Sequence, residues 1–244
     1  MIITALDYKS GSDALEFVAK VDPSLTKLKV GKELFTRAGP ALVEQLQAKG
    51  FDVFLDLKFH DIPNTVAGAL SAAASLGVWM VNVHAFGGPK MLAAARKAIP
   101  KAGDVNGTRL IAVTVLTSMD DAELKYVGVQ NRAQEQVKIL AQLSIDEGLD
   151  GVVCSAHEAT LIRDMAPSSF LTVTPGVRPS SAQVSNDDQS RVMTPADAIK
   201  AGSRYLVIGR PITQSKDPLA SLQQIHEQIS SRPKIPRYTF LLSN

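Results

Sequence analysis

A single cysteine, Cys154, is all that the 244-residue sequence carries, so an internal disulfide framework is excluded. Long apolar runs are missing too, and no stretch reaches the length needed to span a bilayer. Neither sign of charge dominates: 26 basic residues stand against 24 acidic ones, a formal +2 spread without blocks. That balance removes the usual argument for a nucleic-acid or membrane-surface partner. Signal-peptide anatomy is also lacking, since Met1-Ile2-Ile3-Thr4-Ala5-Leu6-Asp7 enters a strand at once, and the expected location is the cytoplasm. What remains is an ordinary globular composition, 45% hydrophobic and 20% charged, in a chain long enough for one large core.

The apolar segments repeat. Short β-rich runs predict strands over 2–6, 25–30, 51–58, 79–83, 109–116, 151–154, 170–174 and 205–208. Between them lie helical patterns. One covers 13–20, and another has Pro40 in its first turn, Leu42, Val43 and Leu46 on one stripe and Gly50 at its end. Val66 to Leu70 read as helix, as do 90–98 after the Gly87-Gly88 break, and Val137, Leu140, Ala141 and Ser144 mark a long helix closed by Gly148. A short helix follows His157, Thr194-Pro195-Ala196-Asp197 caps another that Gly202 ends, and Asp217-Pro218 opens the last. Eight strand-helix units in this length predict an α/β fold of one domain, a (β/α)8 or TIM barrel over 1–230. The tail, 231–244, falls outside the repeat; Pro233 and Pro236 argue against helix there, and no function is assigned to it.

Charge gathers where the third strand gives way to a helix, in Asp56-Leu57-Lys58-Phe59-His60-Asp61-Ile62-Pro63-Asn64-Thr65. Strand alternation puts Asp56 and Lys58 on the face of Phe54, with Leu55 and Leu57 on the other. If the leucines pack under helices, the charges face inward. Asp61 falls in the turn, near the cap of the next helix, where free backbone N–H groups favour a carboxylate. An Asp-x-Lys pair can equally be a half-solvated ion pair, and Asp61 only a cap.

In a barrel of this kind, chemistry sits at the carboxyl ends of the strands. Those ends carry Asp7, Lys29, Asp56 with Lys58, His84, Thr117, Ser155, the 175–178 turn and Gly209-Arg210. His84, Cys154 and Ser155 read as ordinary polar residues of a wet rim. Gly209-Arg210 reads as an anion site, because glycine lets backbone N–H groups approach a phosphate and arginine adds a forked donor. The polar loop 179–188, flanked by Arg178 and Gln189, reads as a lid.

These residues match a family pattern. Asp56 to Thr65 resembles the signature of the orotidine 5′-phosphate decarboxylase family in its bacterial form. Val30-Gly31-Lys32-Glu33-Leu34-Phe35, Asn82-Val83-His84-Ala85, Val152-Val153-Cys154-Ser155-Ala156, Thr174-Pro175-Gly176-Val177-Arg178-Pro179 and Val207-Ile208-Gly209-Arg210-Pro211-Ile212-Thr213 are similar to its other blocks, in order, from about Ile3 to Ile229. The resemblance implies a carboxy-lyase that makes UMP and CO2 from orotidine 5′-phosphate in pyrimidine biosynthesis. It implies no cofactor and no metal, and a homodimer with shared active sites. On that resemblance Asp7 and Lys29 bind the ribose hydroxyls, Lys29 also joins Asp56, Asp56 lies by the substrate carboxylate and Lys58 protonates C6. Asp61 and Thr65 reach into the neighbouring subunit's site, Thr117 lies by the pyrimidine, and Arg178, Gln189, Gly209 and Arg210 hold the phosphate.

Three rival readings stand beside it. A Mg²⁺-dependent sugar-phosphate relative would use the same charges with Glu33 offered as a ligand. A Schiff-base aldolase would use Lys58 or Lys29 as nucleophile, although flanking carboxylates keep lysine protonated. A non-catalytic phosphate binder would need none of the Asp/Lys set.

Overall fold

The computed structural model describes residues 1–104, 107–179 and 193–230. Eight parallel strands close into a barrel in sequence order, and β1 (Ile2–Ala5) pairs with β8 (Tyr205–Ile208) through Thr4 opposite Ile208. Between these lie β2 (Lys27–Gly31), β3 (Val53–Phe59), β4 (Met80–His84), β5 (Arg109–Val113), β6 (Gly151–Val153) and β7 (Leu171–Thr174). The helices are α1 (Gly11–Val18), α2 (Lys32–Ala48), α3 (Pro63–Ser75), α4 (Gly88–Ala98), α5 (Asp121–Tyr126), α6 (Ala133–Asp146) and α7 (Ala156–Met165). After β7 come α8 (Pro195–Ala201), then, past β8, the single turn α9 (Arg210–Thr213) and α10 (Pro218–Ser230).

Alternation along each strand sorts the core into two shells. Ile3, Ala5, Phe54, Met80, Ile111, Val173, Tyr205 and Val207 fill the barrel interior, while Leu28, Val30, Leu55, Val81, Leu110 and Val152 pack outward against the helices. Each leucine buried as fully as Leu28 or Leu55 contributes about 1.5–3 kcal/mol relative to exposure. The same alternation turns Lys29 inward from β2 and Asp56 inward from β3, and register places Gly31 opposite Asp56.

The observed elements depart from expectation in identifiable places. The second helix begins at Lys32, one turn and more before Pro40; Gly39, at φ +66° and ψ −165°, kinks it, and Pro40 opens the second piece. Only Leu34 of the first piece is fully buried, so no stripe announced it. Strand β5 stops at Val113 instead of 116; just past it, Thr114 donates both its N–H, at 3.4 Å, and its hydroxyl, at 2.9 Å, to the carbonyl of Val153, where β6 ends. Helix α5 was unforeseen: Asp120 and Glu123 form its capping box, yet Leu124 is its one buried residue. Helix α7 starts at Ala156, before His157, with the Glu158 carboxylate accepting from the Ser155 N–H at 2.8 Å. The expected tail, 231–244, and most of the expected lid loop, from 180 onward, lie outside the described residues.

Candidate active site

A cavity of about 540 Å³ opens at the carboxyl ends of the strands. Its floor is the top layer of the inner core, including Ala5, Phe54, Val153, Val173 and Val207. Its walls carry Asp7 after β1, Lys29 from β2, Asp56 and Lys58 from β3, Thr117 after β5, Arg178 after β7, and Gly209 and Arg210 after β8. Charge therefore sits on one apolar base, with the lysines on one side and the arginines on the other.

Asp56 is the centre of the charged side. Lys58 Nζ lies 2.5 Å from its Oδ1, and Lys29 Nζ lies 3.3 Å from its Oδ2 and 3.4 Å from Asp7 Oδ1. Burial would push the Asp56 carboxyl up, but Lys29, Lys58 and the amide of Asn82 together hold it below the usual carboxylate range. Burial opposes the charge on Lys29 as well, yet Asp56 and Asp7 raise its pKa above that of a free lysine. Lys29 is therefore held as an ammonium beside an ionised Asp56. An ammonium so held is a poor nucleophile, which argues against the Schiff-base reading.

Lys58 reaches this position at a backbone cost. Its φ is +53°, the one positive φ at a non-glycine residue among those described, a strain of about 1–2 kcal/mol. Asn82 of β4 answers it: Nδ2 donates to Asp56 Oδ1 at 2.7 Å, and Oδ1 accepts from the Lys58 N–H at 2.8 Å. This residue was not singled out from the sequence. The available signal was a lone amide in Met80-Val81-Asn82-Val83, at an inward position of a buried strand. Gln214, just past α9, also lines the cavity and was likewise unforeseen.

The arginine side is built on turns. Gly176, at φ +76°, takes a conformation that other residues rarely adopt, and turns the chain between β7 and Arg178. The Arg178 N–H then donates to the Met193 carbonyl at 3.0 Å, and Val177 bridges Met193. Gly209 precedes the turn of α9 that carries Arg210.

Not every expected residue joins the cavity. Asp61 is exposed and does not cap α3; its Oδ1 accepts from the adjacent Ile62 N–H at 2.6 Å, and Ile62 is the capping position without a side-chain bond. Thr65 is exposed on the first turn of α3, and neither residue lines the cavity of its own chain. Gln189 lies outside the described residues. Cys154 turns outward into the core under the helices, where burial pushes its thiol pKa up and keeps it unreactive. Ser155 is buried at the start of α7, and His84 is half-buried with its ring 5.5 Å from that of His60. Glu33, the candidate metal ligand, is exposed and paired with Arg37 at 3.2 Å. No helix of the described residues is long and apolar enough to cross a membrane.

A closed parallel barrel whose strand ends converge charged groups on one cavity defines a (β/α)8-barrel enzyme. Residues 1–225 match the family model described as "Orotidine 5'-phosphate decarboxylase / HUMPS family", and the chain belongs to that family. It is 56% identical over 229 residues to the orotidine 5′-phosphate decarboxylase of Saccharophagus degradans, covering 94% of both chains. The enzyme of the same name from Hahella chejuensis is 56% identical over 230 residues, 94% of this chain and 97% of that one. Among solved structures, orotidine 5′-phosphate decarboxylase from Lactobacillus acidophilus superimposes with a TM-score of 0.82 at 36% identity, covering 94% of this chain and 99% of that chain.

Proposed function

We propose that this chain converts orotidine 5′-phosphate to UMP and CO2 without a metal, and that Lys58 protonates C6 of the pyrimidine. The enzyme class is that of its relatives, a carboxy-lyase. The observation that carries the finer reading is the Lys29–Asp56–Lys58 array, in which one buried carboxylate is flanked by two ammonium groups at the base of the cavity.

Loss of CO2 from C6 leaves a carbanion with no neighbouring carbonyl to spread its charge as an enolate. A fixed ammonium in a closed site interacts strongly with that charge and can deliver the proton that ends the reaction. Asp56 keeps Lys58 in place, and its repulsion of the substrate carboxylate is a secondary contribution relieved as CO2 leaves. Asp7 and Lys29 take the ribose hydroxyls and Thr117 the pyrimidine edge. Arg178, Gln189, Gly209 and Arg210 hold the phosphate, so binding energy remote from C6 helps to assemble the site.

The exposure of Asp61 and Thr65 supports a homodimer in which both residues complete the partner's cavity. A second hollow of about 240 Å³ beside Lys29, Asp56 and Lys58, rimmed by Tyr8, Lys32 and Glu33, offers the space for them. The activity belongs to pyrimidine synthesis in the cytoplasm.

The test is the ultraviolet absorbance of the purified protein with orotidine 5′-phosphate in excess EDTA. Conversion to UMP is expected. Turnover of a sugar phosphate only after Mg²⁺ is added, with none of orotidine 5′-phosphate, overturns the reading.

A further inference from the structure

Strand β3 is out of step with β4 at one place. Leu55 lies opposite Val81 and Phe59 opposite Val83, so Asp56, Leu57 and Lys58 all face the single residue Asn82. A bulge of one extra residue would turn the following side chains to the other face of the sheet; two extra residues preserve the alternation. That is why Asp56 and Lys58 both reach the cavity while Leu57 and Phe59 pack outward. The bulge also takes the Lys58 N–H out of the backbone ladder. Asn82, wholly buried, supplies the missing acceptor from its side chain.

The orientation of that carboxamide is forced by its partners. The Lys58 N–H can only donate, so it must meet the amide oxygen; the Asp56 carboxylate can only accept, so it must meet the amide nitrogen. Asp56 Oδ1 receives both this amide and Lys58 Nζ. Asn82, Asp56 and Lys58 thus form a closed loop of hydrogen bonds across the bulge, linked at both the backbone and the side chain of the lysine.

We infer that Asn82 is a positioning residue for the reaction, one that holds Lys58 in its left-handed conformation and sets where its ammonium stands over the cavity. The inference rests on the decarboxylase reading for its kinetic consequence. Asn82 does not line the cavity and acts only through its two partners. Its role therefore separates from substrate binding, because the arginines proposed to hold the phosphate lie on the other side of the cavity, after β7 and β8.

Two variants test it. In Asn82→Ala the Lys58 N–H loses its acceptor and the lysine is released from its set position; kcat per folded active site is expected to fall about 100-fold with KM within a few-fold of the parent. Asn82→Asp keeps size and shape and can still accept from the Lys58 N–H, but once ionised it cannot donate to Asp56 and places a second carboxylate against it. Two such carboxylates do not both ionise easily, and only the protonated acid restores the donor to Asp56, so the kcat of Asn82→Asp should fall as pH rises through this added ionisation, a limb that the parent lacks. A residue that merely filled space would lower thermal stability without creating this ionisation. Should Asn82→Ala fail to fold, the isosteric Asn82→Asp profile decides alone. Folded Asn82→Ala with kcat within threefold of the parent, or an Asn82→Asp profile identical to the parent's, overturns the inference. The parent's turnover in the same assay tests the decarboxylase reading separately. If the parent is inactive, a crystal structure of either variant still decides: Lys58 is expected to leave φ near +53° in Asn82→Ala, and an unchanged Lys58 refutes the role.

Discussion

Lys29 Nζ stands 3.3 Å from Asp56 Oδ2, an ion pair across neighbouring strands that leaves the other carboxylate oxygen to Lys58. Both side chains are nearly out of solvent, at 13% and 11% exposure, so the pair is shielded little by salt and depends on its neighbours for compensation. Asp56 joins the two lysines, and Asp7, 3.4 Å from Lys29, supplies a second carboxylate that balances the second ammonium.

Lys58 and Arg210 should therefore fail differently. Lys58→Ala removes the group proposed to protonate C6, and kcat is expected to drop at least about 1,000-fold. Arg210→Ala removes a proposed phosphate contact and is expected to raise KM about 10–100-fold with a smaller change in kcat. Steady-state UMP formation by each variant checks both; a Lys58→Ala enzyme keeping a tenth of parental kcat would refute its role.

Asp61 is exposed and outside its own cavity, yet is proposed to work in the partner's. Mixing inactive Lys58→Ala with inactive Asp61→Ala should restore up to about a quarter of parental activity once subunits exchange, since mixed dimers carry one site with both residues intact. A mixture as inactive as its components, with exchange confirmed by differently tagged subunits, would place Asp61 within its own barrel.

His84 gives stability a pH dependence. Burial, His60 and the ammonium groups of Lys32 and Lys58 lower its pKa from 6.5 to about 4. The unfolded chain then binds the proton first, so this contribution is complete above pH 6.5 and is lost as pH falls toward 4. Asp56, also depressed, adds a further loss only below its ordinary value of 3.8. Denaturant unfolding at pH 7 and pH 5 should show the parent losing stability and His84→Gln losing less; equal losses would refute the assignment to His84.

The eight strands were legible because alternation is a local property, readable from a few neighbouring residues. Leu28 and Val30 against Lys27 and Lys29 already state which face of β2 is covered by helices. The charged strand ends were legible for the same reason. Helix α5 was not, since one buried residue, Leu124, makes no periodic stripe. The piece of α2 before Gly39 was hidden likewise, and Pro40, a true helix start, drew the boundary too late.

By itself, then, the sequence determined a repeating αβ unit, an inward face for Lys29, Asp56 and Lys58, and the family pattern that those residues carry. Only tertiary structure decided what they meet. Thr4 pairs with Ile208 across the whole length of the barrel, and that closure sets Arg210 on the same cavity as Lys29. The pairing of Asn82 with a two-residue bulge in β3 is decided in the same way, by the register between strands. Periodicity within one strand says which way a side chain points, whereas register is a relation between two strands, and no single stretch of chain contains it.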